Sequence, residues 1–217
     1  MTRRRAARLP YDDPFSKSER LAIVDALHLA TSRIVAAKEI DYATADEPEI
    51  TSKLVIELNA MLDEEPPAIE AFTSLNVETI TNSGRLCSFN EAHIEKQPDL
   101  VFRPRGKRPP GVQRDYCGLF VECKIVDVGH PMGAYCGDGL QRFIEGQYAW
   151  AMRYGMMLGY ARGAYRLPKQ LTTHLADYPR YGTVSMPVSR PSAGPGVSVS
   201  IHARTWTHPT GESPEDI

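Results

Sequence analysis

The sequence predicts a mixed α/β fold, and three observations support that prediction. Two segments near the start of the chain, 17–37 and 47–65, repeat apolar residues at helical spacing. An apolar run at 118–127 has the length of a buried strand. A further helical pattern at 140–155 is followed by a short apolar strand at 156–163. This order is typical of a domain in which helices pack on a sheet.

The two N-terminal helices have clear boundary signals. The helix at 17–37 has a broad apolar face. Ser16 precedes this helix and Ser18 lies in its first turn, and either serine is a candidate N-cap. The helix at 47–65 has acidic residues in its first turn, which suits the positive end of a helix dipole. Pro66 follows it and would stop it.

The rest of the chain has shorter signals. The Pro and Gly content of 129–139 predicts a loop before the third helix. The polar, acidic tail at 208–217 is expected to be disordered. We predict further short strands at four places: 77–84, 85–104, 182–189 and 196–206.

Composition sets limits on function. The net charge of the 217 residues is −2, so no global field marks a nucleic-acid or membrane binder, and any such site must come from local clustering. No apolar run approaches the roughly 20 residues of a membrane-spanning helix. The basic N-terminus lacks the apolar stretch of a secretory signal. We therefore expect a cytoplasmic protein without a membrane partner.

The four cysteines form no CxxC pair, and in a cytosolic chain we expect reduced, partly buried thiols. A zinc site could be drawn from four residues, but their irregular spacing resembles no usual zinc knuckle. The cysteines are Cys87, Cys117, Cys123 and Cys136, and the zinc set would combine the last three with His130.

The strand at 118–127, GLFVECKIVD, holds two opposite charges. Side chains alternate across a strand, so Glu122 and Lys124 share one face with apolar neighbours. Burying charges there is costly unless partners or a metal compensate them. Asp99, in QPDLVF, lies 23 residues earlier, an interval that fits two adjacent strands joined by a loop. Two carboxylates brought together repel unless a cation lies between them, and Mg²⁺ or Mn²⁺ prefers such oxygen ligands. An ordinary Glu–Lys ion pair remains the alternative.

Pro98-Asp99 followed by Glu122-Cys123-Lys124 resembles the active-site pattern of the PD-(D/E)xK nuclease superfamily, over roughly 47–162. The resemblance implies a restriction-endonuclease-like fold, in which a mixed central sheet is flanked by helices. It also implies that Asp99, Glu122 and the carbonyl of Cys123 bind the metal, and that Lys124 orients or activates the attacking water. In that superfamily a preceding helix often supplies another Glu.

For that helix carboxylate we select Glu49, because it opens the second helix, with Glu47 and Glu57 as rivals. The expected catalytic set therefore comprises Asp99, Glu122, Lys124 and Glu49.

Residues 103–114 form a basic loop between the two proposed catalytic strands. We expect the loop to project near the site and contact phosphates, although a solvated loop is an equal alternative. Polar residues at the start of the third helix could also point at the site, against the alternative of an ordinary amphipathic helix. The expected nucleic-acid contacts are Arg103, Arg105, Lys107, Arg108, Arg114, Gln141 and Arg142.

The sequence thus predicts a Mg²⁺- or Mn²⁺-dependent endonuclease that acts on DNA, and the resemblance alone suggests restriction or phage defence. The alternatives are a non-catalytic nucleic-acid-binding or scaffold subunit and an interaction protein with an accidental ion pair. Without a recognition domain, the nuclease would act as a homodimer or as a subunit of a larger complex. We treat 1–217 as a single nuclease domain with four parts: an N-terminal helical extension (1–45), a catalytic core (46–162), C-terminal strands (163–207) and a tail (208–217).

Overall fold

The structure, a computed structural model, shows a mixed α/β protein. Within the described part of the chain, no helix is both long and apolar enough to cross a membrane. The described residues are 13–81, 88, 97–109, 112–147, 149–163, 165–194, 196–207, 214 and 216–217.

Two long helices open the fold, as the sequence predicts. Helix α1 (Lys17–Ala37) begins with a capping box, in which Ser16 accepts a hydrogen bond from the backbone of Glu19 and the Glu19 side chain accepts one in return. Helix α2 (Glu47–Leu62) is capped by Asp46 and ends three residues before the predicted limit. The apolar faces of the two helices pack against each other and against the sheet.

The central sheet is mixed. Strand β2 (Leu119–Val126) pairs antiparallel with β1 (Leu100–Phe102) and parallel with β3 (Gly155–Ala161). Two isolated bridges, Val77 with Pro104 and Thr81 with Val101, extend the sheet beyond β1. The expected strands at 77–84 and 85–104 are therefore confirmed only at these bridges and in β1, since residues 82–87 and 89–96 lie outside the described residues.

Strand β2 separates two packing environments, as its alternation predicts. Leu119, Val121, Cys123 and Ile125 lie in the cluster with α1 and α2. On the opposite face, Phe120 and Val126 lie in two other apolar clusters. Glu122 and Lys124 come between these last two residues, so the charges stand where one apolar cluster gives way to the next.

The third helix is displaced from its predicted position. Helix α3 (Met132–Ala134), a π-helical segment (Tyr135–Leu140) and helix α4 (Gln141–Ile144) run on continuously through the predicted loop. The helix ends eleven residues earlier than predicted because Gly146 follows with a φ of 67°, a left-handed conformation that terminates helices.

The C-terminal part contains a helix that the sequence analysis missed, α5 (Leu167–Asp177). The expected strands are confirmed as a separate antiparallel pair, β4 (Thr183–Ser189) and β5 (Ser198–His202). The expected disorder of the tail is wrong for its last residue, because the backbone of Ile217 exchanges hydrogen bonds of 2.7 and 2.9 Å with that of His202.

The zinc alternative is wrong for the described cysteines. Cys117, Cys123 and Cys136 are free, buried thiols, and each lies in a different apolar cluster. His130 is exposed and bonds to Asp127 instead. Cys87 lies outside the described residues.

Candidate active site

The candidate site lies at the N-terminal end of β1, where the pairing of β1 with β2 begins. The β1–β2 register pairs Leu100 with Val121 and Phe102 with Leu119. One step further along this register, Asp99 comes opposite Glu122, as the sequence predicts. Because β1 is only three residues long, no strand among the described residues pairs with the β1-side edge of β2 beyond Val121.

Two carboxylates take the backbone N–H groups at this free edge. Asp99 Oδ2 accepts a hydrogen bond of 2.6 Å from the N–H of Cys123. Glu47 Oε2, at the first residue of α2, accepts one of 3.2 Å from the N–H of Ile125. These side chains therefore replace the strand that would otherwise pair there, and the exchange fixes both acids beside Lys124.

Lys124 lies at the centre of the group. Its Nζ is 2.9 Å from Glu47 Oε1, 2.9 Å from Glu122 Oε1 and 3.9 Å from Asp99 Oδ2. The same ammonium donates to the carbonyl oxygen of Cys123 at 2.7 Å. Only 13% of the lysine side chain is exposed, so these contacts replace most of its hydration.

Glu122 is fully buried, at 0% exposure, and two cations balance its charge. Arg142 Nη1 donates to Glu122 Oε1 at 2.5 Å, the same oxygen that Lys124 contacts. The π-helical segment packs closely here, since a Cβ added at Gly139 would lie 3.5 Å from Cγ of Glu122. π-Helical turns inside helices frequently occur at functional sites. We call Glu47, Asp99, Glu122, Lys124 and Arg142 the carboxylate–lysine cluster.

Two opposing effects set the pKa values of Asp99 and Lys124: burial disfavours the charged form of each side chain, and contacts with its partners favour it. Burial raises the pKa of Asp99, and the hydrogen bond from Cys123 and the charge of Lys124 reverse this only in part. Burial alone would lower the pKa of Lys124, but Glu122 and Glu47 outweigh it, so that pKa is raised. The lysine is therefore held as an ammonium ion. The three carboxylates and two cations of the cluster leave one net negative charge.

The oxygen atoms of the cluster suit a hard divalent ion. Asp99, Glu122 and the Cys123 carbonyl are the kind of ligands that Mg²⁺ takes, and one or two carboxylates with waters are enough for it. Each carboxylate has about four acceptor sites, so the observed bonds leave capacity for an ion. Across the described residues, no group of three or more His, Cys, Asp or Glu side chains is arranged to hold a metal.

The structure brings Asp99, Glu122 and Lys124 together but corrects the choice of helix carboxylate. Glu49 is exposed, and its backbone N–H binds the Asp46 cap. Glu57 pairs with Arg33 of α1. Glu47, which was a rival to Glu49, occupies the cluster. A sequence signal exists: Glu47 lies three residues before Ile50, on the buried face of α2.

The basic loop lies at the other end of the strand pair, contrary to prediction. The loop connects Phe102 to Leu119, whereas Asp99 and Lys124 lie at the opposite end. Lys124 lies five positions after Leu119, which is about 16 Å at ~3.3 Å per residue. Arg103, Arg105, Lys107, Arg108 and Arg114 therefore lie away from the cluster. Lys107 pairs with Glu19 at 2.5 Å and Arg114 with Glu78 at 2.6 Å.

Of the two helix residues expected at the site, Arg142 and Gln141, only Arg142 contacts the cluster. Arg142 reaches the cluster, but it binds Glu122. Gln141 donates to Glu145 at 2.7 Å, one turn along the chain, and has no described contact with the cluster. His202 and Arg204, on the C-terminal strand and just beyond it, are buried and bond to backbone carbonyls, which is a structural use of both side chains.

Comparison with known proteins identifies no relative: no family model, curated protein or solved structure matches the chain.

Proposed function

We propose that the protein is a Mg²⁺-dependent endonuclease that hydrolyses phosphodiester bonds of DNA. The observation that carries this proposal is the convergence of Asp99, Glu122 and Lys124 at the free edge of β2. The resemblance of PD and ECK to the PD-(D/E)xK pattern supports it, as does a mixed sheet with helices on both faces, which is compatible with a restriction-endonuclease-like fold. A role in restriction or phage defence rests on the resemblance alone.

The cluster has the groups that this reaction needs. A divalent ion bound by Asp99, Glu122 and the Cys123 carbonyl would acidify water and neutralise charge on the phosphate. Lys124, held as an ammonium, can donate to a water or a phosphate oxygen from the same edge. Glu47 and Arg142 position this pair: Glu47 fixes Lys124, and Arg142 fixes Glu122.

A non-catalytic nucleic-acid-binding or scaffold subunit is the second candidate, and one observation favours it. The Lys124 ammonium already lies between the carboxylates and on the Cys123 carbonyl, where it offsets their charge without a metal. In an inactive subunit this arrangement would be permanent. In an enzyme, an ion bound by the Cys123 carbonyl would compete with Lys124 for that oxygen.

The proposal includes association of two copies of the chain through the β4–β5 sheet. One face of this sheet exposes Val184 (60%), Val188 (48%) and Val199 (43%), together with Met186 and Ile201. The other residues of the two strands are half-buried, apart from the exposed Ser189 and the buried His202. Neither strand contains a charged residue, so a two-fold contact of this face with itself brings no like charges together. Exposed apolar patches of this kind mark interaction sites.

The decisive experiment is cleavage of supercoiled plasmid and of single-stranded DNA with Mg²⁺, with Mn²⁺ and with EDTA. We expect metal-dependent cutting by the wild type. Glu122→Gln and Lys124→Ala should reduce the rate by about 10²–10⁴-fold, the usual contribution of a positioned catalytic group. The matched control is Lys53→Ala, which removes another lysine of an ion pair, that with Glu39 on the surface.

The outcomes of this experiment distinguish a nuclease from a non-catalytic subunit. Cutting that survives in both cluster variants would show that another group, or a contaminant, does the chemistry. DNA binding without cutting by a wild type that takes up no Mn²⁺ would support the scaffold subunit instead. Each variant should first be shown to melt cooperatively, because Glu122 is buried.

A further inference from the structure

The loop between β1 and β2 builds a cleft of about 240 Å³ that is distinct from the carboxylate–lysine cluster. Its lining is strongly basic, with one acidic side chain, Glu78. The lining residues, which we call the basic cleft, are Glu78, Arg103, Pro104, Gly106, Lys107, Arg108, Arg114 and Cys117.

Internal pairing neutralises only part of this charge. Arg114 pairs with Glu78, and Lys107 pairs with Glu19 from α1. Arg108 is exposed and has no ion pair with a described residue. The basic cleft therefore keeps a positive charge after its own contacts are made.

Arg103 contributes a hydrogen-bond donor that has no acceptor among the described residues. Its Nε is buried and has no hydrogen-bond partner among the described residues. Burial lowers the pKa of Arg103, with partial compensation from Asp115 and Glu78. A half-buried guanidinium with an unbonded N–H is destabilising by itself, because a buried donor loses water without a replacement. An anion in the cleft would meet the other N–H groups of this guanidinium, because the Nε itself is closed off from solvent.

Phosphate is the anion that this lining suits. Guanidinium groups bind phosphate oxygens through parallel N–H bonds, and Arg103 and Arg108 supply two such groups. The volume exceeds that of a single water many times over, since a water occupies about 30 Å³ of liquid. The volume is therefore large enough for a phosphate group.

We propose that the basic cleft binds a backbone phosphate of DNA some distance from the bond that is cut. The proposal rests on the proposed nuclease function and adds a second anchoring point to it. Leu119 and Lys124 are about 16 Å apart along β2. A duplex strand carries one phosphate per ~3.4 Å of axis, so DNA running parallel to β2 would place about five base pairs along this length. The cleft would thereby set the length of substrate that the protein engages.

The test is binding of a fluorescent DNA duplex of about 20 base pairs, long enough to span both sites, measured by anisotropy in EDTA at several salt concentrations. Arg108→Gln removes an exposed charge and should weaken binding and lower the salt slope by about one. Arg103→Lys keeps the charge, so we expect weaker binding with the slope unchanged, because lysine lacks the planar fork. Arg105→Gln is the matched control: it removes the same charge from the same loop but does not line the cleft.

Equal affinity and slope in Arg108→Gln and wild type would overturn the proposal, as would a wild type that does not bind the duplex. So would an equal loss in Arg105→Gln, since the effect would then belong to the loop charge in general. The binding assay contains no metal, so its result does not depend on cleavage. If the wild type fails to cut plasmid in the cleavage experiment, the nuclease function is overturned, whereas phosphate binding by the basic cleft is not.

Discussion

Asp99 and Glu47 each hold a backbone N–H of β2 with the carboxylate that also faces Lys124. A side chain that completes a sheet edge cannot swing away without leaving a backbone donor unbonded, which costs about 1–3 kcal/mol when buried. The two acids are therefore fixed before any ligand arrives. Such preorganisation is what electrostatic catalysis requires, because the groups need no rearrangement during the reaction.

Glu47 should matter for activity, whereas Glu49 should not. Glu47→Gln keeps an oxygen that can accept from Ile125 but removes the charge that holds Lys124. We expect a loss of about 10–100-fold in cleavage rate, as for other residues that orient groups around a metal. Glu49→Gln, two residues along the same helix, is the control. Equal rates in the two variants would contradict the assignment.

Asp99→Asn should stabilise the fold at neutral pH and abolish cleavage. The folded-state pKa of Asp99 is raised, so the stability that its proton contributes is present below the ordinary value of 3.8 and lost as the pH rises through the raised pKa. At neutral pH the ionised side chain is therefore a net cost, which Asn removes. Melting curves from neutral to mildly acidic pH should show a higher melting temperature for the variant, with the difference shrinking as the pH falls.

A variant that melts below wild type at neutral pH would contradict this account of Asp99. It would mean that the charge of Asp99 contributes more through Lys124 than its burial costs.

At the scale of elements, the sequence predicted those helices and strands whose apolar residues repeat at regular spacing. The strand at 118–127 and helices α1 and α2 were predicted because their apolar spacing extends over several turns or residues. The third helix was misplaced because Gly133, Gly137 and Gly139 read as loop, although in the fold glycine lets this helix approach Met157 and Glu122. Helix α5 was missed although Leu171 and Leu175 repeat at helical spacing and are buried.

Gly118 should be essential for pairing β1 with β2. A Cβ added there would lie 2.6 Å from the carbonyl oxygen of Phe102, a backbone atom at the pairing end of β1. Gly118→Ala should therefore destabilise the protein by about 1–3 kcal/mol, the usual effect of forcing an extra methyl into a packed region. Urea unfolding would measure it.

Gly133→Ala is the control for this effect. A Cβ at Gly133 meets nothing within 4 Å, and the residue is helical, so the change should stabilise by up to about 1 kcal/mol. Two variants of equal stability would show that the approach of β1 to Gly118 is looser than described.

At the scale of the whole molecule, the sequence could bring Asp99 and Glu122 together but could not place the basic loop. Chain proximity suggested that the loop lies near the site, and it does connect the two strands. Antiparallel pairing, however, puts the connection at the end of the strands opposite Asp99. The charged residues that the sequence grouped into one site are thus divided between two ends of β2, and only the pairing direction reveals it.

The apolar face of β4–β5 should hold two copies of the chain together. Val184→Lys and Val188→Lys each place a charge on that face, so sedimentation should show a shift from a dimer towards the 24.1 kDa monomer. Val128→Lys is the control, since Val128 is 97% exposed and lies outside the β4–β5 sheet. A wild type that sediments as a monomer at high concentration would rule out this contact.

The central claim, that the carboxylate–lysine cluster is a divalent-metal site, is tested most directly by anomalous diffraction from crystals soaked in Mn²⁺. We expect a peak within about 2–2.5 Å of carboxylate oxygens of Asp99 and Glu122 and of the Cys123 carbonyl, with Lys124 moved off that carbonyl. No peak there, with Lys124 still bound to the carbonyl at full Mn²⁺ saturation, would contradict the claim.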